Sequence, residues 1–266
     1  MSTPLSPRSV LLFDIDGVIR DVGGSYRRAI VETVHHYSGV RPDPGSIDAL
    51  KAEGCWNNDW EASLELLRRA GFGAIASPPL PAFEALVEVF NGFYFGGDPE
   101  GDPSGWSGFI GDEPLLVAPE LFQELSAAGV AWGFVSGAEP PSARFVLEQR
   151  LGLVQPPLIA MGDAPDKPDP TGFLRLAARL AGELDGGTVP VAYLGDTVAD
   201  VITVQRARQQ QPQQRFLSLA VAPPHLQAPE ASGRRASYER QLLEAGADAV
   251  IPSTTAVLMA LEQALA

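Results

Sequence analysis

The segment from residue 10 to residue 20, VLLFDIDGVIR, constrains the fold of this chain more than any other part of the sequence. It begins with four consecutive apolar residues. A short apolar run without alternation is typical of a strand that is buried on both faces of a parallel sheet. The run ends at two acids, Asp14 and Asp16, and Gly17 permits a tight turn after them. Ligands of open α/β sheets bind at the carboxyl ends of strands, so this acid pair falls where such a fold does its chemistry. Taken alone, the two acids could equally be solvated loop residues or the cap of a helix.

Strand-like and helix-like stretches then alternate through the second half of the chain. Further strands are predicted at residues 130–135, 158–160, 189–194, 216–221 and 249–251. Helices are predicted between them at residues 118–128, 141–149, 171–181, 199–208 and 238–245, and a last one at residues 254–266. Alternation with short connections indicates an α/β fold with a doubly wound parallel sheet.

Residues 21–113 have a different pattern. Helical periodicity predicts helices at residues 26–37, 46–52, 61–70 and 81–90, and no sheet is evident. Residues 91–113 are rich in Gly, Pro and aromatic residues and are predicted to form a long loop. We therefore expect a core domain of residues 1–20 and 114–266, with a small α-helical cap domain at residues 21–113 inserted after the first strand.

The composition limits the classes of function. The chain has 33 acidic and 19 basic residues and a net charge of −14, which disfavours a nucleic-acid-binding protein. A local cation can still attract an anionic substrate. The single cysteine, Cys55, excludes an intrachain disulfide and a multi-cysteine metal site. The segment MSTPLSPRS lacks an apolar signal core, and no apolar stretch approaches the length of a membrane span. We therefore expect a cytoplasmic protein that does not bind membranes.

Polar side chains also follow the later strands. Asp196 and Asp200 are four residues apart where a predicted strand turns into a helix. With Asp14 they supply three carboxylates, and such hard oxygen ligands suit Mg²⁺. A bound magnesium ion would explain how several acids can share one site without each being protonated.

Two more strand ends carry groups that suit a phosphate. Lys167, between Asp166 and Pro168, is a point cation able to balance a phosphate. Ser136 offers a hydroxyl, and the turn at Ser136 and Gly137 offers backbone amides that can bind anionic oxygens. A carboxylate nucleophile, a metal, a second acid and phosphate-binding groups together indicate phosphoryl transfer.

Four segments, in this order and at these separations, resemble motifs of a known family. They are FDIDGV at residues 13–18, VSG at 135–137, DKPDP at 166–170 and GDTVAD at 195–200. The chain resembles the haloacid dehalogenase (HAD) superfamily, in its phosphatase branch with a helical cap inserted after the first motif, similar to phosphoglycolate phosphatases. The resemblance covers residues 9–20 and about 115–266. It implies a Rossmann-like core with a cap domain.

The resemblance also implies roles for individual residues. Asp14 would be the nucleophile that forms an aspartyl-phosphate, and Asp16 would be the general acid–base. Ser136, Gly137 and Lys167 would hold the phosphoryl group.

The metal site implied by the resemblance uses the same acids. Asp14, Asp196 and the backbone carbonyl of Asp16 would bind Mg²⁺, with Asp200 assisting directly or through water. The cap sequence GCWNNDW departs from the one expected for phosphoglycolate phosphatase. No substrate is therefore assigned.

Four residues are considered as substrate contacts. Arg20 is the arginine nearest to Asp16 along the chain, although it could belong to a solvated face. Trp56, Asn57 and Asn58 lie in the cap and could contact a substrate. Alternatively, the tryptophan could pack in a core, and Asn58 or Asp59 could cap the helix that follows.

The predicted function is that of a Mg²⁺-dependent phosphoric monoester hydrolase acting on a small phosphorylated metabolite, as a monomer or a homodimer. A phosphomutase of the same fold is an alternative. A non-catalytic phosphoryl receiver or metabolite-binding regulator is an alternative from a different class. Asp16 disfavours a halide-releasing dehalogenase, because such members of the family lack the second acid.

Overall fold

The structure is a computed structural model that describes residues 7–53, 56, 58–182 and 189–266. The chain divides into two compact units. The core unit comprises Met1–Asp21 and Pro114–Ala266, and the helical unit comprises Val22–Glu113. No helix among the described residues is long and apolar enough to cross a membrane.

A parallel sheet forms the centre of the core unit. Its described strands are β1 (Ser9–Phe13), β2 (Val130–Val135), β3 (Leu158–Ile159), β4 (Val191–Gly195), β5 (Phe216–Val221) and β6 (Ala249–Ile251). They lie in the order β3-β2-β1-β4-β5-β6, and every pair is parallel. The order runs outward from β1 in both directions, so the sheet is doubly wound as predicted.

Strand β1 is central, and both of its faces are covered. Leu11 and Phe13 join one hydrophobic cluster, which includes Phe122 and Phe134. Val10 and Leu12 join a second cluster that includes Phe173. These four apolar side chains are fully buried, and each contributes about 1.5–3 kcal/mol of transfer free energy. Burial on both faces is the physical reason for the unbroken apolar run in the sequence.

The helices are defined as follows. The helical unit contains α1 (Tyr26–Ser38), α2 (Pro44–Ala52), α3 (Asp59–Arg69) and α4 (Phe83–Tyr94). The core unit contains α5 (Glu120–Ala127), α6 (Pro140–Arg144), α7 (Thr171–Ala181), α8 (Val198–Gln210), α9 (Ser232–Glu244) and α10 (Val257–Leu265). A π-helical segment, Phe145–Arg150, continues α6.

Two helices extend at least four residues beyond a predicted end. Helix α9 begins at Ser232 rather than at residue 238. The prediction missed its first turns because they are polar and only Leu242 along the helix is buried. Apolar periodicity is therefore weak there. Helix α4 extends to Tyr94, beyond the predicted end at residue 90. The remainder of the predicted loop contains two short 3₁₀ turns, Pro103–Gly105 and Phe109–Asp112.

The helical unit has its own buried interior. One face of α1 is buried, at Ala29, Ile30, Thr33 and Val34. The rings of Tyr26 and Tyr94 stack with their centroids 4.4 Å apart. Such aromatic contacts add to the stabilisation from apolar burial and join α1 to α4.

Candidate active site

The site lies at the carboxyl end of β1, where the chain turns sharply. The backbone amide of Asp14 donates to the carbonyl of Leu194 at 2.9 Å, which joins the end of β1 to β4. Gly17 has a φ of +73°, which glycine adopts without strain. A Cβ at this position would lie 2.0 Å from Oδ2 of Asp196. Gly17 is therefore required for both its conformation and its close approach to a neighbouring acid.

Three carboxylates converge at this edge of the sheet. Asp14 follows β1, Asp196 follows β4, and Asp200 lies in the first turn of α8. One carboxylate oxygen from each lies within 4.8 Å of the others. All three side chains are buried. Like charges held this close in a buried site need a cation for compensation.

Lys167 supplies one such cation. Its Nζ atom lies 3.0 Å from Oδ2 of Asp14 and 2.6 Å from Oδ1 of Asp200. It also lies 3.2 Å from the hydroxyl of Tyr193. Lys167 therefore bridges two of the three acids, Asp14 and Asp200.

The arrangement fits a divalent metal as a second cation. Oδ1 of Asp14 is buried and has no hydrogen-bond partner among the described residues. A buried carboxylate oxygen without a partner is costly unless a cation or a donor satisfies it. The donor set consists of hard oxygens, which Mg²⁺ prefers. The residues present therefore fit a magnesium ion beside Asp14 and Asp196.

The acids differ in pKa because they differ in partners. Burial raises the pKa of Asp14 to about 6, although Lys167 opposes that shift. Burial and the neighbouring charges of Asp200 and Asp14 raise the pKa of Asp196 well above its ordinary value. Burial alone would raise the pKa of Asp200, but Lys167 and the hydrogen bonds from Thr197 lower it. Burial alone would lower the pKa of Lys167, yet Asp14 and Asp200 raise it well above its ordinary value.

Asp200 is positioned by the start of its own helix. Thr197 is the N-cap of α8, and its hydroxyl accepts from the backbone amide of Asp200. The Asp200 carboxylate accepts in turn from the amide of Thr197 at 3.0 Å and from its hydroxyl at 2.6 Å. This reciprocal capping arrangement fixes the carboxylate toward Lys167.

Ser136 and Gly137 follow β2, the neighbour of β1. The Ser136 amide donates to the carbonyl of Ile159 at 3.0 Å. Its hydroxyl accepts from the amide of Ala138 at 3.2 Å, which is a local turn contact. Ser136 is buried and Gly137 is exposed. The turn is thus formed at the same edge of the sheet as the three acids.

Asp16 and Arg20 form a pair in the loop after β1. The Nε atom of Arg20 donates to Oδ1 of Asp16 at 2.7 Å. Arg20 is fully buried, whereas the Asp16 side chain is 29% exposed. Asp16 is therefore the group of this pair that solvent can reach.

Two of the residues expected to contact a substrate, Asn58 and Trp56, make hydrogen bonds within the helical unit. Asn58 caps α3, and its Oδ1 accepts from the amides of Trp60 and Glu61 at 2.9 and 3.0 Å. The indole of Trp56 donates to Glu53 at 2.9 Å. Asn57 and Cys55 lie outside the described residues.

Sequence reasoning overlooked Tyr193. This tyrosine of β4 is fully buried, and its hydroxyl donates to the carbonyl of Val135 at 2.7 Å. The hydroxyl also contacts Lys167 and Asp200. The sequence did contain a signal for this role, which was a tyrosine in an otherwise apolar central strand. A buried hydroxyl needs a hydrogen-bond partner, so such a tyrosine indicates polar groups nearby.

The chain is similar to known proteins in sequence and in fold. The family described as "Hydrolase: haloacid dehalogenase-like hydrolase" matches residues 9–208. The chain is 32% identical over 204 residues to an imidazoleglycerol-phosphate dehydratase from Phytophthora nicotianae. That alignment covers 76% of this chain, and the chain spans 42% of the length of this curated relative.

Solved structures share the fold. Phosphatase Tt82 from Thermococcus thioreducens has a TM-score of 0.61 at 22% identity, covering 79% of this chain and 92% of that one. A phosphonoacetaldehyde hydrolase-like protein from Oleispira antarctica has a TM-score of 0.64 at 15% identity, and the match covers 99% of this chain and 95% of that one. At these identities the likeness concerns the fold alone.

Proposed function

Because this chain belongs to the haloacid dehalogenase-like hydrolases, we propose that it is a Mg²⁺-dependent phosphatase that acts on a small phosphorylated metabolite through an aspartyl-phosphate. The observation that carries the proposal is the environment of Asp14. One of its oxygens pairs with Lys167, and the other is buried with no partner among the described residues. Three carboxylates and one lysine around a single strand end suit a phosphoryl group together with a metal.

In this proposal Asp14, Asp196 and the backbone carbonyl of Asp16 would hold the magnesium ion, and Asp200 would assist directly or through water. When bound, Mg²⁺ neutralises charge on the phosphoryl oxygens and on the acids that surround them. Asp200 also orients Lys167, with which it forms a 2.6 Å ion pair. The protein residues perform the remaining chemistry.

The first half-reaction transfers the phosphoryl group to the enzyme. A carboxylate oxygen of Asp14 attacks phosphorus, and an O–P bond forms as the ester P–O bond breaks. The carboxylic acid of Asp16 gives its proton to the departing alkoxide, which leaves as an alcohol. Lys167, Ser136 and Gly137 hold the phosphoryl oxygens during the transfer, through an ammonium group, a hydroxyl and backbone amides.

The second half-reaction regenerates the enzyme. The Asp16 carboxylate, now deprotonated, accepts a proton from a water molecule whose oxygen attacks phosphorus. The bond between phosphorus and Asp14 breaks, and inorganic phosphate leaves. Asp14 is again a carboxylate, and Asp16 is again protonated.

We also propose that the helical unit serves as the cap domain that selects the substrate. Trp56, Asn57 and Asn58 remain its proposed contact residues. The Asn58 side-chain oxygen is already engaged in capping α3, so its amide nitrogen would be the group offered to a substrate. The relative from Phytophthora nicotianae is named for imidazoleglycerol phosphate, so phosphate esters that carry an imidazole ring belong among the substrates to test.

The experiment is a phosphate-release screen of the purified protein, with and without Mg²⁺. The panel comprises sugar phosphates, phosphoglycolate, phosphoglycerates, nucleotides, amino-alcohol phosphates and imidazoleglycerol phosphate. We expect Mg²⁺-dependent release from one or two compounds, and loss of release in Asp14→Asn. Unchanged release in Asp14→Asn would contradict the proposed nucleophile. Formation of an isomeric phosphate ester without free phosphate would instead favour the phosphomutase. Binding without turnover would favour a regulator.

A further inference from the structure

Arg20 occupies an unusual environment for an arginine. It is fully buried, although it lies only four residues after Asp16 in the loop that follows β1. A buried guanidinium is costly unless carboxylates and other acceptors satisfy it. Its Nε donates to Oδ1 of Asp16 at 2.7 Å, and its Nη2 donates to the hydroxyl of Ser142 at 2.8 Å. Ser142 is itself fully buried, in α6.

The backbone around Arg20 is held on both sides. The amide of Gly17 donates to the carbonyl of Arg20 at 2.9 Å, which closes the loop that carries Asp16. The amide of Asp21 donates to the carbonyl of Pro114, and the amide of Leu116 donates to the carbonyl of Ile19. These hydrogen bonds fix the main chain of Arg20, and the contacts with Asp16 and Ser142 fix the direction of its side chain.

Asp16 and Ser142, two partners of Arg20, belong to different parts of the core unit. Asp16 lies in the loop after β1, and Ser142 lies 122 residues from Arg20 along the chain. The guanidinium is planar and presents its donors in a fixed fork, so it can address both partners at once. A lysine would offer one point charge on a flexible stem instead. The position therefore uses a property that only arginine has.

From this geometry we propose that Arg20 is a positioning residue for the general acid–base, and that it does not contact the substrate. It anchors Oδ1 of Asp16 and leaves Oδ2 to exchange the proton with the leaving group and with water. The solvent-reachable member of the pair is Asp16, and Arg20 itself is enclosed. Positioning of reacting groups to within a fraction of an ångström has large effects on rate. The inference rests on the proposed phosphatase function.

The test uses the leaving group of the substrate. Proton donation by Asp16 matters for an alkyl phosphate, whose alkoxide needs a proton, and matters little for p-nitrophenyl phosphate, whose phenolate leaves without one. The value of kcat/KM reports the steps up to formation of the aspartyl-phosphate, which separates this role from the later attack by water. The probes are phosphoglycolate, glucose 6-phosphate and the fastest alkyl ester from the screen, each compared with p-nitrophenyl phosphate.

For Arg20→Met we expect kcat/KM to fall about 10²-fold on the alkyl phosphates and by less than about threefold on p-nitrophenyl phosphate. Arg20→Lys should restore part of the loss on the alkyl esters. Ser142→Ala should give the same pattern with a smaller loss of about fivefold on the alkyl esters. If Arg20→Met does not fold, as judged by circular dichroism, Arg20→Lys and Ser142→Ala replace it in the test. The expected result is again a larger loss of kcat/KM on the alkyl esters than on p-nitrophenyl phosphate.

The matched control is Arg208→Met. Arg208 also forms an ion pair, with Asp248, but it lies in the last turn of α8. It is about 12 Å along the helix axis from Asp200. We expect Arg208→Met to leave unchanged the ratio of kcat/KM on the alkyl phosphates to kcat/KM on p-nitrophenyl phosphate.

Two results would contradict the inference while leaving the proposed function intact, and a third would overturn both. Equal losses on alkyl and aryl phosphates in Arg20→Met would assign Arg20 a purely structural role, and an unchanged kcat/KM on both would exclude any role in catalysis. Absence of phosphate release by the wild-type protein from every probe would overturn the proposed function, and this inference with it.

Discussion

The Nζ atom of Lys167 lies 3.0 Å from the Oδ2 atom of Asp14, at the carboxyl end of the central strand. This ion pair opposes the effect of burial on Asp14 and leaves its pKa at about 6. The proposed nucleophile is therefore ionised at neutral pH although its side chain is buried. The same lysine contacts Asp200 at 2.6 Å, so one cation supports two acids of different proposed roles.

Replacement of Lys167 by methionine should both destabilise the protein and impair catalysis. It leaves Asp14 and Asp200 buried without their cation, and breaking a buried ion pair costs about 3–5 kcal/mol of the free energy of unfolding. Loss of a group that holds the phosphoryl oxygens should lower kcat by about 10²–10³-fold. Urea unfolding and phosphate-release kinetics measure the two effects.

A double-mutant cycle with Asp200→Asn tests the ion pair itself. We expect the combined loss of stability in the double variant to be smaller than the sum of the single losses, by about 0.5–3 kcal/mol. Additive losses would show that the two side chains do not interact energetically.

The contribution of Asp14 to the stability of the metal-free protein should fall as the pH rises from about 4 to about 6. The pKa of Asp14 is 3.8 in the unfolded chain and about 6 in the folded one. Between these values the folded chain keeps a proton that the unfolded chain has lost. The stabilisation is therefore fully present below pH 3.8, is lost as the pH rises through 6, and amounts to roughly 3 kcal/mol.

Asp14→Asn isolates this effect, because its amide does not titrate. The difference in unfolding free energy between the wild type and this variant, measured by denaturant unfolding in a chelating buffer, should shift in favour of Asp14→Asn as the pH rises. A difference that is independent of pH between 4 and 7 would contradict the raised pKa.

Mg²⁺ should stabilise the folded protein through Asp14 and Asp196. A ligand that binds only the folded state stabilises it by about 2.7 kcal/mol at a concentration of 100 times its Kd. We expect the Tm of the wild type to rise on addition of Mg²⁺, and the rise to be strongly reduced in Asp196→Asn. Removal of the ion with a chelator should abolish phosphate release. An equal rise of Tm in both proteins would place the ion elsewhere.

Gly17→Ala should impair the site beyond its effect on the backbone. Gly17 and Gly39 have nearly the same left-handed φ, +73° and +71°. An added Cβ at Gly39 meets open space, whereas one at Gly17 would lie 2.0 Å from Oδ2 of Asp196. Both substitutions should cost about 1–2 kcal/mol of backbone strain, but only Gly17→Ala displaces a proposed metal ligand.

Thermal unfolding with and without Mg²⁺ distinguishes the two glycine variants. Gly39→Ala should retain both phosphate release and the Mg²⁺-dependent rise in Tm, and Gly17→Ala should lose both. Retention of both in Gly17→Ala would show that Asp196 can move without consequence.

The sequence by itself determined the sheet and the place of the site. Strand β1 was evident because both of its faces are buried, which leaves an unbroken apolar run. The carboxyl ends of parallel strands share one edge, so Asp14 and Asp196 were expected together, as they are found. Only the type of each residue and its position relative to a strand end were needed for that step.

The partners of these residues were decided by the tertiary structure. The contact between Arg20 and Ser142 joins positions 122 residues apart, and the enclosure of Arg20 depends on how α6 packs beside the loop. Likewise, the tyrosine of β4 reaches Lys167 only because the loop that carries the lysine folds over that strand. Local sequence encodes which groups are available and at which end of an element they lie. Their burial, their mutual distances and hence their pKa values arise from packing between distant segments, which has no local signature.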